Sequence, residues 1–243
     1  MIPKIIHYCW FGGNELPLLA KKCIESWKKY LPDYEIIEWN ENNFDVNIIQ
    51  YTKEAYKARK YAFVSDYARF WILYKYGGIY FDTDVEVIKP MDKVLSCGPY
   101  MGFEHEKTGV APGLGMASGK GNNLIAYLLE AYKNRTFYKS DGSTDLTTIV
   151  TITTELLKQH GLKLDNTIQK IEDYTIYPSE YFCPVSIHDG KLRITDKTYT
   201  IHHYAQSWES PIHKYLRKIV LKLGGGALKD FLVRITGYRK NRY

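Results

Sequence analysis

Residues 76–90 read YGGIYFDTDVEVIKP. After a glycine pair, the apolar run Ile79 to Phe81 delivers two carboxylates one residue apart, Asp82 and Asp84. An apolar run of this length behind a glycine stop predicts a strand. Open α/β sheets take their ligands beyond the carboxyl ends of such strands. Carboxylate oxygens are hard ligands suited to Mg2+ or Mn2+. A turn with two solvated aspartates is the plainer reading, and the flanking sequence decides between them. A twelve-residue calcium loop is excluded: counted from Asp82, position 6 is Val87 rather than Gly and position 12 is Lys93 rather than Glu.

The preceding stretch, KYAFVSDYARFWILYKYGG, predicts a buried helix over Ala62 to Tyr76, ended by Gly77-Gly78. Asp66 and Arg69 lie three apart and share one face of it. On a helix otherwise built from Phe63, Val64, Phe70, Trp71, Ile72 and Leu73, that pair should be buried and hydrogen-bonded, or line a cleft.

Further towards the N-terminus, Lys4 to Trp10 reads as a strand, Pro17 to Tyr30 as an amphipathic helix and Tyr34 to Trp39 as a second strand. This β-α-β opening is the unit of a parallel sheet. Lys53 to Lys60 reads as a short polar helix, and Asn122 to Tyr132 and Asp145 to His160 as two more. Val85 to Ile88 continues as extended chain, and 174–177, 192–194 and 198–204 are further strand candidates. His7 reads as a satisfied core histidine. Asn40 and Glu41 end the second strand and suit a turn or a nucleotide contact. Asp145 suits a helix cap or an acceptor contact.

The chain has 243 residues, 45% of them apolar, enough for one large α/β domain. Its four cysteines show no CxxC and no zinc spacing, which points to a reducing compartment without disulfides. The opening MIPKIIHYCWFGG is too short an apolar stretch for a signal peptide, and no run reaches the roughly 18 apolar residues of a membrane span. The net charge of +6 is uneven. From Ile212 onward there are nine Lys/Arg and one acid, +8, which leaves −2 for the rest. Leu216, Ile219, Val220 and Leu223 share one helical face, ringed by Lys214, Arg217, Lys218 and Lys222. Residues 212–243 are therefore expected as a basic amphipathic helical tail behind a domain spanning 1–211. The tail either packs on the domain or attaches to an anionic membrane surface. No basic–aromatic nucleic-acid module appears.

The string FVSDYARFWILYKYGGIYFDTDVEVIKP resembles the core signature of DXD-containing glycosyltransferases of family 32, and more loosely the catalytic domains of the large clostridial toxin glucosyltransferases. IPKIIHYCWFGG, CIESWKKYLPDYEIIEWNENNFDV and IHHYAQSW are similar to the same family in the same order. The resemblance implies a GT-A, Rossmann-like fold with a mixed central sheet that binds a nucleotide sugar, UDP-linked by preference, with Mn2+ or Mg2+. It implies transfer with retention of anomeric configuration, to a surface polysaccharide or glycolipid, by a cytoplasmic enzyme peripheral to the inner membrane face. By motif, Trp10 would stack on the base, with Cys9 and Phe11 beside it. Asp66 and Arg69 would hold the donor sugar, and Tyr80 and Thr83 would flank the donor. Asp82 would meet the ribose and support the metal, and Asp84 would ligate it. His202 or His203 would add a ligand; they alternate on a strand, so one of them faces the site. Ser207 and Trp208 would close over the pyrophosphate. Glu86 is either a third ligand or an exposed strand residue. Two other classes stay open: a haloacid-dehalogenase-type phosphatase with Asp82 as nucleophile, for which the later acidic pair is missing, and a sugar- or membrane-binding module without turnover.

Overall fold

The computed structural model of the chain describes residues 1–105, 109–185 and 191–205. It opens with β1 (Ile5–Cys9), α1 (Leu18–Tyr30) and β2 (Glu35–Trp39), the two strands parallel in register from Ile5↔Glu35 to Cys9↔Trp39. α1 buries Ala20, Cys23, Ile24 and Trp27, one face at helical spacing, and carries Lys28 and Lys29 in its last turn, where cations suit the helix dipole. α2 (Gln50–Lys57) and α3 (Tyr61–Tyr76) follow.

α3 leads through the glycine pair into β3 (Gly78–Tyr80), which lies parallel to β1. Gly78 has φ +103°, and a Cβ there would stand 2.6 Å from the Ile5 carbonyl oxygen, so only glycine lets β3 enter beside β1. His7 is fully buried under this junction. Its Nε2 pairs with the Gly77 carbonyl at 2.9 Å and its Nδ1 accepts from the Trp39 indole at 3.1 Å. One ring nitrogen donates and the other accepts, which fixes a neutral tautomer, and burial lowers its pKa to about 4.

β4 (Val85–Val87) leaves the main sheet. Then come α4 (Asp92–Leu95), β5 (Tyr100–Gly102), β6 (Met116–Ser118), α5 (Asn123–Glu130), α6 (Ile149–Gln159), β7 (Gln169–Ile171), β8 (Tyr174–Tyr177) and β9 (Thr200–His202). The seven-stranded sheet runs β2-β1-β3-β6-β5-β8-β7 and is mixed: β6 is antiparallel to both β3 and β5, and β8 is parallel to β5. β4 and β9 form a separate antiparallel pair. One apolar cluster gathers Phe70, Leu73, Tyr132 and Phe137 with Ile152 and Leu157 of α6, and a second gathers Trp27, Phe81, Val85, Tyr100 and Phe182.

Several elements differ from expectation. α6 starts at Ile149 rather than Asp145, because Thr148 is its cap, accepting from the Thr151 amide. Asp145 instead pairs with Arg135 at 2.7 Å, so its reading as a cap is corrected. Residues 192–194 form no strand; Leu192 makes only a bridge to Val185. The strands β5, β6 and β7 are three residues each, too short to show a period of two. The described residues up to Tyr204 form one unit. No helix among the described residues is long and apolar enough to cross a membrane. The basic segment 212–243 lies outside the described residues.

Candidate active site

α3 and β3 bring the charged residues together. Arg69 is buried, donates from Nε to the Ser65 carbonyl at 3.1 Å, and pairs with Asp66 at 3.0 Å and Asp82 at 3.3 Å. Its guanidinium lies over the Tyr80 ring, 4.9 Å from the centroid, a cation–π contact. The Tyr80 hydroxyl donates to Asp82 Oδ1 at 3.1 Å. Burial, with the Asp84 charge, pushes the Asp82 carboxyl up, and the Arg69 cation opposes this.

Asp82 to Asp84 form the turn from β3 into β4, with the Val85 amide on the Asp82 carbonyl at 3.0 Å. The ladder β4–β9 sets Val85 opposite His202, and the His203 amide bonds the Asp84 carbonyl at 3.0 Å. His202 Nε2 thereby reaches Asp84 Oδ1 at 3.1 Å. Burial presses against the His202 charge, but Asp84, with Asp82 and Glu104, outweighs it and raises the pKa. One ligand atom each from Asp82, Asp84 and His202 lies within 4.8 Å of the others. Two hard carboxylate oxygens and one imidazole form a donor set suited to Mn2+ or Mg2+. The buried Nδ1 of His202 has no hydrogen-bond partner among the described residues. These residues fit a divalent cation.

The neighbouring histidine points the other way, as strand alternation demands. His203 Nε2 meets Glu86 Oε2 at 2.8 Å, and Glu86 pairs with Lys22 at 3.1 Å. Neither His203 nor Glu86 joins the Asp82–Asp84–His202 group. Trp10 is half-buried, its indole donating to the Asn14 carbonyl at 2.6 Å. The Cys9 and Phe11 side chains are packed in the core, with burial pushing the Cys9 thiol up to about 12 and Phe11 set edge-on to Phe44. Any donor contact there falls to backbone atoms. Thr83 is half-buried in the Asp82–Asp84 turn. Asn40 builds its own turn through the Asn42 amide at 2.9 Å, while Glu41 accepts from the Gly12 amide at 2.6 Å and secures the loop after β1. Ser207 and Trp208 lie outside the described residues.

Sequence reasoning missed Gly113. The Asp82 amide bonds its carbonyl at 3.3 Å, and a Cβ on Gly113 would run into Asp82 Oδ2. The signal was the PGLG run at 112–115, which offers a bare backbone for close approach. Tyr204 was also missed: its ring stands edge-on to His202 at 4.2 Å, and its hydroxyl meets Cys183 Sγ at 3.0 Å.

Residues 17–99 match the family model described as the glycosyltransferase sugar-binding region containing DXD motif. Over this region the chain is similar to that family. The matched span ends just after β4 and α4 and contains Asp66, Arg69, Asp82 and Asp84. Two curated relatives from Schizosaccharomyces pombe are similar to it. One, named inositol phosphoceramide mannosyltransferase 3, is 35% identical over 106 residues, 39% of this chain and 27% of that protein. The other, inositol phosphoceramide mannosyltransferase 1, is 34% identical over 106 residues, 39% of this chain and 32% of that protein. The chain thus spans about a third of the length of the relatives it matches. Among solved structures, the PaToxG glycosyltransferase aligns with TM-score 0.50 and 21% identity, over 65% of this chain and 69% of its own. That likeness concerns the fold, which is of the GT-A type.

Proposed function

We propose that this protein is a metal-dependent, retaining glycosyltransferase that moves a hexosyl group from a nucleotide sugar to a surface polysaccharide or glycolipid. The carrying observation is the meeting of Asp82, Asp84 and His202 within 4.8 Å, beside the buried Asp66–Arg69 pair, at the end of β3. In this reading the three residues hold Mn2+ or Mg2+, which when bound supplies Lewis-acid stabilisation of the leaving diphosphate. Asp66 accepts from donor-sugar hydroxyls and Arg69 donates to them. Trp10 stacks on the base, worth about 1–3 kcal/mol by analogy with other aromatic–base stacks. Tyr80 holds the Asp82 carboxylate in place through its hydroxyl. Ser207 and Trp208 are assigned to the pyrophosphate. UDP-sugars are the favoured donors. The two relatives named as inositol phosphoceramide mannosyltransferases support a glycolipid acceptor and put GDP-mannose on the donor panel.

The test is donor hydrolysis over a panel of UDP- and GDP-sugars, with Mn2+ or with EDTA, for the wild type and Asp84→Ala. The expected outcome is slow metal-dependent release of nucleotide from one donor, lost in the variant, with the released sugar keeping its anomeric configuration by NMR. Turnover of simple phosphate esters with no donor hydrolysed would sink the reading and favour a phosphatase. Binding of a nucleotide sugar without any turnover would favour a module without catalysis.

A further inference from the structure

Behind the Asp66–Arg69 pair lies a group of buried polar atoms that the metal site does not use. The hydroxyls of Tyr51 and Tyr132 and the Nε of Arg135 are each buried and without a hydrogen-bond partner among the described residues. Tyr51 is 1% exposed and Tyr132 fully buried. Their rings stand edge-to-face, centroids 5.2 Å apart, with Tyr51 coming from α2 and Tyr132 from just beyond α5. The charges of Asp66 and Arg135 act on both hydroxyls, that of Asp145 on Tyr51 and that of Arg69 on Tyr132. The outer edge of the group is half-exposed, with Arg135 Nη2 pairing with Asp145 Oδ2 at 2.7 Å.

The chain around the cluster is tied down by its own hydrogen bonds. Glu54 of α2 accepts from the amides of Phe137 and Tyr138 at 2.7 and 3.1 Å. The Asp145 amide bonds the Phe137 carbonyl at 2.7 Å, and Asp145 Oδ1 takes both the amide and the hydroxyl of Thr147. The loop 135–147 is thereby fastened to α2, and Asp145 keeps one oxygen for Arg135. A buried hydroxyl or guanidinium nitrogen left unpaired loses its hydration with nothing in exchange. Three in one place call for a polar occupant.

We propose that Tyr51, Tyr132, Arg135 and Asp145 are specificity residues for the sugar ring of the donor, extending the Asp66–Arg69 contact inward and selecting a neutral hexose. The assignment rests on the donor reading given above. A hexose presents hydroxyls that both donate and accept, and the cluster offers both. Carboxylates stand at Asp66 and Asp145, guanidinium donors at Arg69 and Arg135, and hydroxyls of either sense at the two tyrosines. Two cations face two anions, so no net positive charge remains to hold a uronate carboxylate. Sites that hydrogen-bond a substrate hydroxyl discriminate strongly against a ligand that leaves those groups unpaired.

The experiment is calorimetric titration with Mn2+ of UDP and GDP against UDP-glucose, UDP-galactose, UDP-glucuronate and GDP-mannose. The proteins are the wild type, Tyr51→Phe, Tyr132→Phe and Asp145→Asn. The tyrosine variants remove one oxygen and keep the ring, and thermal denaturation checks that all three variants fold. Each variant should bind the nucleoside diphosphate within about twofold of wild type, while the preferred nucleotide sugar weakens about tenfold, the loss of one hydrogen bond. The wild type should bind the glucuronate donor more weakly than the neutral ones. If the variants leave the nucleotide sugar unchanged, the hydroxyls hold only buried water and the proposal fails. Equal weakening of diphosphate and nucleotide sugar overturns it as well. A wild type that binds none of these ligands overturns the donor reading itself, and this assignment with it.

Discussion

Arg69 joins two carboxylates that come from different elements, Asp66 from its own helix and Asp82 from the end of β3. Removing a buried cation leaves both anions uncompensated, so Arg69→Met should cost about 3–5 kcal/mol in urea unfolding. A surface pair would cost under about 1 kcal/mol, and a loss that small would show that the pair is solvated. His7 gives a pH signature of its own. Its pKa stands near 4 in the folded chain and near 6.5 as a free imidazole. A depressed folded value means that the unfolded chain binds the proton first. Stability is therefore full above about pH 6.5, falls as the pH drops, and by about pH 4 has lost about 3 kcal/mol on this account. Unfolding free energies measured between pH 7 and 4 should show this slope in the wild type and a flatter one in His7→Gln. Equal slopes would mean that His7 is not titrating. At this scale much of the site was legible. Asp82 and Asp84 stand out because two carboxylates follow an apolar strand, and Asp66 and Arg69 because a charged pair sits on an apolar helix. The choice between His202 and His203 was not legible, since a strand shows that neighbours face apart but not which face meets Asp84.

Among the elements, β4 and β9 do the assembling. α1 fixes β4 through the Trp27 indole, which donates to the Val85 carbonyl at 2.7 Å, and through Ser26 Oγ, which accepts from the Val87 amide at 2.9 Å. β9 then brings His202 alongside from more than a hundred residues away in sequence. α1 was readable because its apolar positions repeat with the helical period over three turns, and α3 because an apolar run too long for a strand ends at a glycine pair. β5, β6 and β7 were not, and neither was the segment around Gly113, whose part depends on what the fold sets against it. Gly113→Ala tests that part. The new methyl would meet Asp82 Oδ2 and would also stand 3.1 Å from Arg69 Nη1. The carboxylate must turn away, at an overpacking cost of about 1–3 kcal/mol. The expected result is a folded protein with Mn2+ affinity, followed by titration calorimetry, reduced at least tenfold. Unchanged affinity would show that Asp82 has room to relax without leaving the metal group.

For the whole molecule, the distribution of charge carries the argument. Residues 212–243 hold nine basic side chains against one acidic, and the rest of the chain nets −2. A cation near an anionic bilayer contributes about 1 kcal/mol, within a Debye length of the surface. A transferase with a lipid-linked acceptor would gain from that attraction, because it holds the enzyme where its acceptor lies. Its domain would gain nothing, since a net −2 gives it no pull towards anionic lipid. The full chain should therefore sediment with vesicles containing a third phosphatidylglycerol and stay in solution with pure phosphatidylcholine. Raising the salt from 0.1 to 0.5 M should release it, as screening requires. Replacing Lys214, Arg217, Lys218 and Lys222 together by Gln removes four cations, about 4 kcal/mol on the same scale, which is enough to abolish sedimentation. The variant should keep wild-type donor hydrolysis in solution, because the donor and metal roles proposed above fall on none of the four. Retained sedimentation in the variant would place the attraction elsewhere. Equal binding of the wild type to neutral and anionic vesicles would show that charge is not its cause.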